Sequence, residues 1–444
     1  MIVHFLKYKF RKYSLPLLAL SLLPVMGYAQ LITRDYKLHD VGNVRQIITN
    51  HGNLNKENTN YPGLINCEFP PHSYVEHLGS TGWYIGGITP SGDTLVSVTH
   101  SFNSPDEFPG YSSAPWDTVW EADRGDTLNI PYINKPYTPV SDQDFVTRYN
   151  DYNEAALKVA NHNPLYLDVI QKSYAWASPP LNNIIVINYA VVAEKFNIKN
   201  VYLSLFCDPN VGYRTGSGFT FANDDYVKYY PKEDMVTAFD APGGPDGGTY
   251  SPIGLKIVPP KSAPPDSIKW TWIWQDRSQP IPPTRDPARF VQMKSGTVME
   301  NQITPNQTHF ILSFGPFNMV KGDTLHFKIA LVLGKDENEV NKESKLVDML
   351  VKKNFKVPSP PPAPTIKVKT ANRQVTINWS PDNSKVNPET YTDPNRGDSV
   401  KYPFEGYRIY KSTQSATGPW TLLAQYDKKD DNYGLNTGLK HEYT

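Results

Sequence analysis

Acidic side chains set among glycines and prolines are the residues of this chain best suited to chemistry. Asp208, Asn210, Asp224, Asp225 and Asp240 share one polar stretch, and Asp246 follows beside glycines. A hard cation such as calcium takes about six to eight oxygen ligands, and loops at the end of a sheet can supply carboxylates and carbonyls together. The spacing does not follow an EF-hand, since the segment from Asp208 to Tyr213 begins like one and then lacks the later ligands. Asp and Asn also build turns through their own side chains. A structural calcium on Asp208, Asn210, Asp224, Asp225 and Asp240 and a set of tight turns are therefore both open readings.

Other residue groups carry weaker chemistry. Trp270, Trp272 and Trp274 alternate, so on a strand they share one face. An exposed row of that kind could stack on sugar rings, and a buried one would simply be core. His72, Glu76 and His77 are close in sequence, but on a strand the first two face away from the third, which suits no single metal. Arg124-Gly125-Asp126 and Arg396-Gly397-Asp398 could suggest an adhesion tripeptide, although Gly-Asp pairs are ordinary turn chemistry. The sequence holds no HExxH, GxSxG or phosphate-binding glycine loop. Paired carboxylates for glycoside cleavage leave no mark on sequence, so the motifs do not decide that case.

The elements that must position these groups are strands. From Pro164 to Asp208, Leu165–Ala177 alternates, Ile184–Val192 is almost continuously apolar and β-branched, and Val201–Phe206 alternates again. The middle run is expected to be the doubly covered strand with the other two as its neighbours. Further strands are expected at Val44–Asn50, Tyr74–Leu78, Trp83–Ile88, Thr94–Phe102, Ile253–Val258, Ile268–Trp274, His309–Phe314 and Thr324–Leu333. Residues 104–138 read as a long surface excursion, Asp144–Ala160 as holding a short helix, and Asp208–Gly248 as long loops. From Asp336 to Phe355 the period becomes helical, with Asp336 placed to cap.

Composition supports a mainly β fold. The chain has 444 residues, 12% aromatic, with 40 Pro and 28 Gly to punctuate short strands. Lys plus Arg and Asp plus Glu number 44 each, which gives no electrostatic pull toward nucleic acid. The two cysteines, Cys67 and Cys207, could form one long-range bridge in an oxidising compartment or stay as two buried thiols. Residues 1–29 have a basic start, an apolar run broken by Pro16 and Pro24, and a small residue, Ala29, before Gln30, the layout of a cleaved secretory signal. No later stretch is long enough to span a membrane. A secreted or outer-surface location follows as the expectation.

The stiff segment 357–364, containing Pro358-Ser-Pro-Pro-Pro-Ala-Pro364, separates a large domain (30–356) from a second module (365–444). That module runs TIKVKTANRQVTINWSP, FEGYRIYKS and GPWTLLAQYD. With Trp379, Gly406, Tyr407 and Tyr410 it resembles a fibronectin type III domain, which implies that the tryptophan and the GYRIY strand pack across a core. The resemblance implies a further strand or two beyond Thr444. The ordered segments VGNVRQIITNHG, GWYIGGITPSGDTLVSV, PLYLDVIQKSYAWA and SFGPFNMVKGDTLHFKIALVLG resemble exported bacterial proteins of the type IX secretion kind. This implies surface display or release and no particular reaction. The expected architecture is a large β-sandwich joined to a partial fibronectin-like sandwich. The expected role is non-catalytic binding or scaffolding, with polysaccharide or other surface proteins as partners and no cofactor beyond a structural calcium. The alternative is an accessory, carbohydrate-binding or spacer region of a secreted polymer-degrading enzyme.

Overall fold

The computed structural model describes residues 34–55, 65–100, 106–110, 118–214, 220–261, 264–276, 278–279, 283–356, 358, 360–393, 395, 403–414, 418–429 and 434–444. The secretory-signal stretch and Arg396-Gly397-Asp398 lie outside them. Two antiparallel sheets face one another to form a β-sandwich. The larger has eight strands in the order Asp225–Tyr230, Met235–Asp240, Ile253–Val258, Thr324–Leu333, Ile184–Ala193, Leu167–Ala175, Gln143–Asn150 and Trp120–Asp123. The second has five: Lys269–Asp276, Thr308–Met319, Ile198–Asp208, Ser80–Ile88 and Thr94–Val98. A smaller sheet of five short strands ends in Val75–Glu76 beside Gly212–Tyr213.

Alternation explains why the sheets pair. Ile185, Ile187, Tyr189 and Val191 point into the common core, and Ile184 and Val186 point out under a helix. Trp83 from the second sheet meets Phe327 (4.6 Å between ring centroids) and Tyr189 (5.3 Å) from the first, both edge-on. Rings of this size bury enough area to dominate the core, and truncating one to alanine typically costs about 3–5 kcal/mol. Helix α1 (Asp286–Met293) covers the outer face of the second sheet through Phe290 and Met293, which pack with Tyr84, Val96 and Phe206. Helix α2 (Glu337–Lys352) covers the outer face of the first through Val340, Val347 and Leu350. Asp336 caps α2 by accepting from the Glu339 amide at 2.9 Å, as the sequence indicates.

Several sequence expectations are corrected. Ile184–Ala193 is covered on both faces, but its neighbours are Leu167–Ala175 and Thr324–Leu333. Ile198–Asp208 has crossed to the opposite sheet, because the short turn after Ala193 redirects the chain there. Asp208–Gly248 is not all loop: Val227 and Tyr229, and the run Met235–Asp240, are buried in a strand pair at the edge of the large sheet. In Asp144–Ala160 the strand Gln143–Asn150 takes the first half, since Phe145 and Tyr149 alternate into the core. Only a single helical turn, Ala156–Lys158, remains. The excursion 104–138 places Phe108, Val119 and Ile130 in the interior.

The terminal module has a sheet of Lys367–Ala371, Gln374–Asn378 and Glu442–Tyr443 and a pair of Gly406–Lys411 with Thr421–Asp427. Trp379 is buried against Tyr407 (5.7 Å) and Tyr426 (6.0 Å), whereas Tyr410 faces out. Lys385 approaches Asp123 (3.7 Å) and Asp126 (3.9 Å), Val386 sits against Gly125, and Arg124 Nη1 donates to Tyr391 Oη at 3.3 Å. The Arg124-Gly125-Asp126 tip is thus the joint between module and sandwich.

A candidate cation site at the sheet edge

The strand pair Asp225–Tyr230 and Met235–Asp240 sets Asp225 directly opposite Asp240, and the residue before the pair is Asp224. The chain then runs through the Pro- and Gly-rich loop 241–249 and returns with Tyr250, whose amide donates to Asp240 Oδ2 at 2.7 Å. On the other side the short strand Gly212–Tyr213 offers its Tyr213 amide to Asp246 Oδ2 at 2.9 Å. These two backbone bonds aim Asp240 and Asp246 toward Asp224. One carboxylate oxygen from each of Asp224, Asp240 and Asp246 lies within 4.8 Å of the other two.

The oxygens left over have no donors. Asp240 Oδ1, Asp246 Oδ1 and both oxygens of Asp224 are buried without a hydrogen-bond partner, although Asp240 is only 3% and Asp224 only 9% exposed. Among the described residues no lysine or arginine forms an ion pair with any of the three. Burial pushes the Asp240 carboxyl up to about 8, with Asp246 and Asp224 adding to the rise against the pull of the Tyr250 amide. Burial raises Asp224 as well, with the Asp246 charge adding to it. Gly244 lets the loop close over the group: a Cβ there would lie 1.6 Å from Asp224 Oδ2.

The sequence-derived metal set is therefore corrected in membership. Asp224 and Asp240 converge, and Asp246 completes the group. Asp225 is not in the converging group: its Oδ2 accepts from the Val211 amide at 2.9 Å, and its Oδ1 is buried without a partner. Asp208 does not belong to the converging group, and Asn210 lies against Gly79. Asp246 is legible in the sequence only as an acid among glycines, because the polar residues around the strand pair that brings it round have the composition of loop. Of the tryptophan row, Trp272 is completely buried, and Trp270 and Trp274 are partly buried against the same core, so the three do not form one exposed flat face. Cys67 and Cys207 are both free and buried.

Several other buried acids and a histidine bond mainly to the backbone. Glu76 accepts from the amides of Cys67 (2.9 Å) and Asn66 (3.1 Å), and His77 Nε2 bonds to Ser251. Neither belongs to a converging metal-ligand group among the described residues. Asp144 accepts from Tyr137 Oη (2.6 Å) and the amides of Val140 and Ser141. A shallow cleft lined by Tyr84, Phe206, Gln292 and His309 has about 10 Å³ of free space, enough for about one water. Among the described residues no helix is long and apolar enough to cross a membrane.

Fold and site together define a helix-faced β-sandwich protein with an acidic cluster at one sheet edge. No protein-family profile matches the chain, and no curated protein matches it. Among solved structures it is similar to a bacterial glucoamylase complexed with acarbose (11% identity, TM-score 0.37), over 71% of this chain and 34% of that one. It is also similar to a protein from the human microbiome described as a kojibiose phosphorylase (10%, TM-score 0.28), over 73% and 36%. A third is described as an aldose 1-epimerase from Escherichia coli K12 (8%, TM-score 0.30), over 68% and 99%. The chain spans about a third of the length of the first two.

Proposed function

We propose that this chain is an exported surface or extracellular protein that works by binding and scaffolding. In this reading the large sandwich is the body and the fibronectin-like module is docked on it as a spacer. The observation that carries the reading is how three buried acids of the sandwich are used. Glu76, Asp144 and Asp151 are buried with their oxygens committed to backbone amides and hydroxyls, so they hold loops in place. A group fixed in that way has little freedom to exchange a proton with a substrate. The joint at Lys385, Val386 and Tyr391 supports the scaffolding part, because it ties the module to the hairpin at Arg124. Export rests on the basic-then-apolar start of the sequence.

The test has two arms. Fractionation of producing cells should find the protein outside the inner membrane with a new N-terminus near Gln30; a cytoplasmic protein retaining Met1 overturns export. The purified full chain, incubated with a panel of insoluble and soluble polysaccharides, should bind without releasing product. Turnover of any of them that is lost on substituting a single carboxylate overturns the binding role.

A further inference from the structure

We propose that Asp224, Asp240 and Asp246 form a calcium site that closes the loop 241–249 onto the edge of the large sheet. Two observations meet here. Three carboxylates place an oxygen each within 4.8 Å of one another, a span that fits ligands arranged around one ion with bonds of about 2.3–2.6 Å. Independently, Asp240, which contributes an oxygen to the group, is 3% exposed and its Oδ1 has no donor, and neither oxygen of the nearly buried Asp224 has one. Buried acceptors normally find a donor or a cation. Here the backbone provides one amide each to Asp240 and Asp246, both on Oδ2, so the two Oδ1 atoms are left for a positive charge.

The donor set selects the ion class. With only carboxylate oxygens present, a soft or borderline metal has no nitrogen or sulfur to prefer, so zinc and copper are disfavoured. Magnesium demands near-ideal octahedral geometry and keeps several waters. Calcium accepts irregular sets of carboxylates, carbonyls and water. Gly243, Gly244, Gly247 and Gly248 leave the loop backbone unencumbered for that purpose. Asp225 lies opposite Asp240 in the sheet and does not join the group; burial raises its carboxyl well above the usual carboxylate range. The competing arrangement is a proton shared between Asp224 and Asp240, which needs no ion.

The experiment uses the purified full chain stripped with a chelator. Calcium chloride at millimolar concentration should raise the melting temperature by about 5 °C, the size expected for a ligand well above its dissociation constant. Terbium should give luminescence sensitised through nearby aromatic rings, displaced by calcium. Asp240→Asn should abolish both responses, and Asp246→Asn should weaken calcium affinity at least tenfold. If Asp240→Asn does not fold, Asp246→Asn, on the more exposed side, supplies the readout. An identical melting temperature in chelator and calcium, with no terbium signal, overturns the proposal in favour of the shared proton. A response to magnesium equal to that for calcium overturns the choice of ion, and responses unchanged in both variants overturn the location.

Discussion

Two loops of this molecule are held by aspartates, and they are held in opposite ways. At Asp151 the protein brings donors to the carboxylate: Ser97 Oγ at 2.6 Å and the amides of Leu165 (2.8 Å) and Leu167 (2.7 Å) pin the chain where it enters the strand Leu167–Ala175. At the sheet edge, Asp224, Asp240 and Asp246 bring acceptors to one another, and both oxygens of Asp224 and the Oδ1 atoms of the other two meet no donor. The first arrangement is complete with protein atoms alone. The second is a concentration of like charge that closes its loop only with a proton or a cation added. Burial by itself therefore does not mark a site; the convergence of several unmatched carboxylates does.

The largest effect is expected where the protein supplies both sides. Asp151→Ala orphans three donors at once, and each buried unpaired donor costs about 1–3 kcal/mol, so a loss of about 3 kcal/mol or more is expected in chemical denaturation. That loss should be the same in calcium and in chelator. Asp240→Asn should behave conversely: in chelator it relieves repulsion and leaves stability equal or higher, and in calcium it forfeits the stabilisation that the wild type gains. A calcium-dependent loss for Asp151→Ala would erase the contrast between the two loops.

Acidity separates them next. The Asp240 carboxyl, raised to about 8, holds its proton more tightly in the folded chain than in the unfolded one. Its contribution to stability is then complete at low pH and lost as pH rises through about 8. Burial also raises Asp151, to about 6, so its loss on the same sign is finished near that value. Between pH 6 and 8.5 in chelator, the wild type should therefore lose a few degrees of melting temperature relative to Asp240→Asn. Calcium should flatten that difference, since the ion takes the place of the proton.

How much of this was readable from the chain follows the range of the interactions. The core strands announce themselves through alternation, as in Val201–Phe206, and α2 through its period and its Asp336 cap. Which sheet a strand joins is decided by partners far away in sequence: Ile198–Asp208 lies between Ser80–Ile88 and Thr308–Met319, and nothing local to it says so. The same limit governs the site. Asp224 and Asp240 were visible as acids, but the strand pair that juxtaposes them was masked by its polar neighbours. Asp246 needed Tyr213, from another sheet, to orient it. The tryptophan row could be placed on one face by its spacing, and only the sheet opposite turned that face into core.

The smallest effect gives the sharpest discrimination, because it compares adjacent glycines. Gly243 has φ +84 and open space where a Cβ would go, so Gly243→Ala should cost about 1 kcal/mol in backbone strain and leave calcium affinity within about twofold. Gly244 is not in the left-handed region, but its Cβ would sit 1.6 Å from Asp224 Oδ2. Gly244→Ala must then push that carboxylate out of the group or lift the loop away from it, and calcium affinity read by terbium displacement should fall more than tenfold. In chelator the same displacement separates like charges, so Gly244→Ala should there be no less stable than Gly243→Ala. Equal calcium affinities for the two variants would mean that the loop closes over nothing, and that the sheet edge is held, like the Asp151 loop, by protein contacts alone.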